Sequence, residues 1–107
     1  MKLILSIISH DDAKAVIQAL TQNGFSVTKL ATTGGFLMFG NVTILLGVDE
    51  DRVQSAIDII KDRSHQRKQA IPLNTELENH YYPHLPMEVV VGGTTIFVLN
   101  IEKFERA

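Results

Sequence analysis

Residues 5–20 read LSIISHDDAKAVIQAL, and 40 residues further on residues 45–60 read LLGVDEDRVQSAIDII. Each segment opens on a continuous apolar run, the pattern of a strand covered on both faces. Each then passes an acidic cluster, Asp11-Asp12 or Asp49-Glu50-Asp51, suited to cap the free amides at a helix N-terminus. Each continues with apolar residues at i, i+3, i+4 and i+7. These are Ala13, Val16, Ile17 and Leu20 in the first copy, and Val53, Ala56, Ile57 and Ile60 in the second. That spacing makes one adhesive helical face. The chain carries the same strand–helix unit twice.

Working outward, the first helix is expected to stop at Asn23-Gly24, with Gly24 in the left-handed position and Phe25 packing back. A strand follows at 25–32, then a tight Gly34-Gly35 turn and a strand at 36–48. After the second helix comes a polar stretch, 62–84, holding Pro72, Asn74, Asn79 and Pro83. It shows no period and is long for a connection in a compact domain, which marks it as functional or disordered. The chain closes with a strand at 87–91, a two-residue Gly92-Gly93 turn, a strand at 95–99 and a tail around Phe104. The order is βαββαβ with an extra C-terminal strand. Two such split units make an α+β, ferredoxin-like sandwich, an antiparallel sheet with both helices on one face. The other sheet face then lacks a cover from its own chain. Val27, Leu37, Phe39, Leu45, Val89 and Phe97 cannot all lie under two helices, so apolar sheet surface should remain. Such a patch marks association, and a homo-oligomer with packed sheets is expected.

The 107 residues fit one domain, 1–107. A hydrophobic fraction of 45% with 21% charged residues describes a globular chain. Ten basic against twelve acidic residues leave a net charge of −2, which argues against a nucleic-acid polymer or an anionic membrane as partner. There is no cysteine, hence no disulfide framework and no thiolate metal site, and a reducing cytoplasm fits. The apolar run at 3–8 is too short for a signal h-region or a membrane span. A cytoplasmic protein is expected.

Residues 28–41, TKLATTGGFLMFGN, mix hydroxyls, an amide and closely approachable glycine backbone with flat apolar side chains. A site that stacks a ring and hydrogen-bonds its edges has this composition; so does an ordinary β-hairpin. The pattern leaves both readings open. Of the histidines His10, His65, His80 and His84, the last two stand four apart. Pro83 opposes the helix that would pair them on a metal, so surface-loop histidine is the better reading and no metal is expected. His10 beside Asp11 and Asp12 is explained by capping. Lys61, Arg63, Arg67 and Lys68 suit a helix C-terminus, with a phosphate grip as the other reading. Gly34-Gly35 and Gly92-Gly93 lack phosphate-loop spacing. No nucleophile stands beside a base and orienter, so neither catalytic residues nor an enzyme are expected. An RNA-recognition module shares this fold, but Tyr81 and Tyr82 lie in the long connection and the net charge is negative.

TKLATTGGFL at 28–37, Gly40-Asn41, the GV and DRV elements around 47–53, and VVVGGTTIFV at 89–98 together resemble the PII-like cyclic di-AMP receptor family of Gram-positive bacteria. The likeness runs nearly end to end, from MKLIL through NGF at 23–25. It implies a homotrimeric, non-enzymatic signalling protein that takes cyclic di-AMP between neighbouring subunits and needs no cofactor. By position it implies that Thr28 and Asn41 hydrogen-bond the ligand, that Phe36 and Leu37 contact an adenine, and that backbone near Gly47 and Gly92 lines the cleft. Ser26 stands where members usually carry Arg, and Met38-Phe39 where they carry a basic or small pair. Both changes remove positive charge near a dianionic ligand. Strand parity places 26 and 28 on one face of their strand, and 37, 39, 41, 43, 45 and 47 on one face of the next. Ligand is expected to reorder 62–84 or the Gly34-Gly35 turn and so alter the surface offered to an unidentified downstream protein. The alternative is a PII-like trimer with lost or changed nucleotide specificity that serves as a protein-interaction module.

Overall fold

Burial alternates along the first strand, with Ile4, Ser6 and Ile8 buried between half-buried neighbours, so one face of it is packed and the other is open. A computed structural model of the chain describes residues 1–30, 40–71 and 87–107. In order these form β1 (Lys2–Ser9), α1 (His10–Gln22), β2 (Thr28–Leu30), β3 (Asn41–Val48), one 3-10 turn (Glu50–Arg52), α2 (Val53–Ser64), β4 (Arg67–Ile71), β5 (Met87–Val91) and β6 (Thr94–Asn100). The antiparallel main sheet has the order β2-β3-β1-β6, while β4 and β5 pair in a second, two-stranded sheet. The α+β ferredoxin-like expectation is met. No helix among the described residues is long and apolar enough to cross a membrane.

Ile4, Ile8, Val42, Ile44, Leu46 and Val48 supply the sheet side of the core, and Ala13, Val16, Leu20, Ala56 and Ile60 supply the helix side. These helical positions are the ones the repeat spacing selects. On the opposite face, Leu3, Leu5 and Ile7 of β1 pair with Leu99, Phe97 and Thr95 of β6, and Leu5 also pairs with Leu45 of β3. Phe97 is 50% and Leu99 46% exposed, so the expected uncovered apolar face exists. Leu45 and Phe97 belong to it, whereas Val27 packs against the core. Leu37 and Phe39 lie outside the described residues.

The C-terminal end of α1 meets expectation, and the helix N-termini do not. Gly24 has φ +85°. The Phe25 amide donates to Leu20 O at 3.0 Å and the Gly24 amide to Thr21 O at 3.0 Å, the paired bonds of a Schellman ending. Phe25 is thereby held in the core, and β2 begins only at Thr28. At the N-termini the acids do not cap. Ser9 precedes α1 and Asp49 the 3-10 turn, neither with a side-chain capping bond. Asp12 instead turns its carboxylate to Arg67.

The stretch expected to be without structure after α2 also differs. β4 begins at Arg67 and pairs with β5, Arg67 opposite Val91 and Ile71 opposite Met87. Its polar sequence hid the strand, because this small sheet shows no apolar alternation of its own. Gly92 and Gly93, with φ +75° and +94°, do not turn a hairpin between β5 and β6. They carry the chain from the two-stranded sheet into the main one. The Gly34-Gly35 turn lies outside the described residues.

Candidate functional site

A hollow opens where β3 begins and β6 enters the sheet. It encloses 690 Å³, and Ile7, Asn41, Lys61, His65, Gly92 and Thr95 contribute to its walls. Asn41 is set in place from both sides. It pairs with Ser9 at the end of β1, and the preceding Gly40, at φ +76°, offers its carbonyl to the His10 amide. Lys61 comes from the last turn of α2 and His65 caps that helix, with Nδ1 3.3 Å from Asp62 O. Among the described residues Lys61 has no carboxylate within ion-pair reach. The basic-run residue that faces the cleft is therefore Lys61, while Arg63 pairs with Asp62 at 3.4 Å.

One edge of the cleft is braced by a hydroxyl relay. Thr94 Oγ1 donates to Ile7 O at 3.1 Å, which commits its only hydrogen. Ser6 Oγ, 2.9 Å away and fully buried, therefore donates to Thr94.

The Gly92 edge is braced by an ion pair. Arg67 Nη2 and Nη1 bond both oxygens of Asp12, at 2.9 and 3.2 Å, and Nη1 also donates to His65 O at 3.2 Å. The hydrogen bond to Asp12 raises the guanidinium above its ordinary value, and the field of the same carboxylate adds to this. A Cβ at Gly92 would lie 2.5 Å from Arg67 Nη1, 2.8 Å from His65 O and 3.0 Å from Asp12 Oδ2. The Gly93 amide donates to Ser64 O at 2.6 Å. Only glycine fits this junction.

Ser26 and Gly47 do not reach the large cleft. They lie at the far end of β3 along a smaller hollow of 190 Å³, shared with Met1, Asp49 and Arg52. Asn41 and Gly47 are six residues apart on one strand, about 20 Å at 3.3–3.4 Å per residue. Thr28 pairs with Leu45 and is exposed on the open sheet face, whereas Ser26 precedes β2. Of the expected positions, then, Asn41 and Gly92 come together, Ser26 and Gly47 come together, and Thr28 lies on the face between. Phe36 and Leu37 lie outside the described residues.

Sequence reasoning passed over Arg52. Its guanidinium carbon stands 4.0 Å above the Phe25 ring, and Nη2 donates to Asn23 O at 2.8 Å. A cation at the start of a helix opposes the dipole, and that misfit is the signal that could have found it. His10 sits apart, along a 290 Å³ groove with Lys14 and Lys29. Among the described residues no three metal-ligating side chains gather. The groups facing the large cleft are an amide, an ammonium, an imidazole, a hydroxyl and backbone. Such groups hold a polar or anionic ligand by hydrogen bonds and charge.

Residues 1–107 match the family model described as cyclic-di-AMP receptor. A crystal structure of a functionally unknown protein from Pediococcus pentosaceus is 37% identical over 99% of this chain and 96% of that one, with a TM-score of 0.78.

Proposed function

The chain belongs to the cyclic-di-AMP receptor family, and from that membership we propose that it is a cytoplasmic signalling protein that binds cyclic di-AMP between the subunits of a homotrimer. The observation that carries this reading is the division of the ligand positions. Asn41 and Gly92 share one cleft, Ser26 and Gly47 another, and the apolar sheet face with Thr28 runs between them. A neighbouring copy packed on that face would bury Phe97 and Leu99 and complete a site that one chain leaves spread over its sheet. Asn41 and Thr28 serve as hydrogen-bond partners of the ligand, Lys61 faces its charge, and Phe36 and Leu37 supply adenine contacts. The protein binds and does not catalyse.

The signal is a population shift. Ligand favours one arrangement of the segment between α2 and β6, or of the segment between β2 and β3, and so changes the surface offered to a downstream protein. Calorimetric titration with cyclic di-AMP, cyclic di-GMP, AMP and ADP tests the reading. Saturable binding of cyclic di-AMP, with the others much weaker, is the expected result. A trimer that binds none of the four supports an interaction module with lost nucleotide specificity and overturns the receptor reading.

A further inference from the structure

We propose that the Asp12–Arg67 ion pair couples the cleft to the β4–β5 hairpin, Arg67 acting as a positioning residue behind Gly92. The inference rests on cyclic di-AMP occupying the cleft that Gly92 lines. Arg67 is the first residue of β4 and pairs with Val91, the last of β5, so this pair is the base of the hairpin. Gly92 follows directly and faces the cleft. Behind its backbone stand Arg67 Nη1, His65 O and Asp12 Oδ2, each so near that a single added carbon would collide. Gly92 thus touches both the cleft and the ion pair at the hairpin base.

The pair is built to hold or break as a unit. Asp12 is only 7% exposed and both its carboxylate oxygens are held by one guanidinium. A fork-to-fork contact of this kind is made or lost as a unit, because a buried carboxylate has no cheap intermediate arrangement. Asp12 belongs to α1, Arg67 to β4 and His65 to the end of α2, so the contact ties both helices to the hairpin. A ligand that presses or draws Gly92 shifts the ion pair, and with it the register point from which the hairpin projects. The alternative is a passive staple that holds the fold and carries nothing.

Arg67→Lys separates the two, since lysine keeps the charge but cannot make the paired bonds. Asp12→Asn approaches the same contact from the other side, away from the residues that line the cleft, and serves if the lysine variant folds poorly. Each variant and the unaltered protein are titrated with cyclic di-AMP. Hydrogen exchange is followed at 67–71 and 87–91, and around Asn41, with and without ligand. In the unaltered protein, ligand should slow exchange at both places. In the variants, affinity should fall about tenfold, within the usual range of couplings between sites. Ligand should still protect Asn41 and its neighbours but no longer the hairpin. A staple would change exchange in the free protein without removing the ligand-dependent difference. Unchanged affinity with the hairpin still protected overturns the coupling alone. Absence of binding to the unaltered protein overturns the receptor reading and the coupling with it.

Discussion

Leu5 stands opposite Leu45 in the central strand pair, and the 40-residue repeat carries each of these residues onto the other's place. The same operation takes the pair Lys2–Val48 onto Val42–Ile8, so a pseudo-two-fold axis passes between the two leucines. It also takes the pair Thr28–Leu45 onto Lys68 and Leu5, but Leu5 has Phe97 there instead. The β4–β5 hairpin therefore departs from the repeat, and β6 occupies the sheet position that the repeat would give to Lys68.

The axis predicts matched core costs. Leu20 and Ile60 are repeat equivalents, both at 0% exposure. Leu20→Ala and Ile60→Ala should each destabilise by roughly 2–5 kcal/mol, the usual range for buried large-to-small changes. Urea unfolding followed by circular dichroism measures both. A loss under about 1 kcal/mol at either site would show that its half of the core is not packed as described.

The hydroxyl relay predicts a coupled pair. Thr94→Val keeps the shape but strands the buried Ser6 hydroxyl, at a cost of about 1–3 kcal/mol. Adding Ser6→Ala removes the stranded group, so the double variant should be more stable than the summed single losses imply. Strict additivity in the four-protein cycle would mean the relay does not exist in solution.

The open sheet face predicts the assembly. Light scattering coupled to gel filtration should report about three times the 11.9 kDa chain mass. Phe97→Asp places a charge in the middle of that face and should give monomers. A monomeric unaltered protein at micromolar concentration removes the site between subunits.

The two ends of β3 predict opposite effects on cyclic di-AMP affinity. Asn41→Ala should weaken binding by roughly 1–3 kcal/mol, five- to a hundred-fold, because a ligand group loses its partner. Ser26→Arg should tighten it, since a charge-assisted bond to phosphate contributes about 1.5–3 kcal/mol. If calorimetry finds Asn41→Ala without effect and Ser26→Arg no tighter, the ligand lies elsewhere.

The repeat made β1, α1, β3 and α2 legible, because both halves carry strong apolar periods. Gly24 was legible because a left-handed residue closing a helix leaves few choices. β4 was not, since Arg67 and Lys68 earn their strand positions by backbone pairing rather than by burial. The Asp12–Arg67 contact was hidden for another reason: 55 residues separate its partners, and dipole arguments accounted for each charge separately. Asn41 and Gly92 were named from a likeness, and only the fold brings them to one cleft.

The last strand of the main sheet sets the order in which the domain can be completed. β1 lies between β3 and β6, its contacts with β6 join Lys2 to Asn100, and the Ile101 amide reaches Met1 O. Nearly the whole chain is the loop that this pairing closes. Closure of so distant a contact is slow beside helix formation, and domains rich in non-local pairing fold more slowly than helical bundles. On a ribosome, β1 must wait with one edge open until β6 emerges, so its exposure to aggregation lasts until residues 94–100 are available to pair.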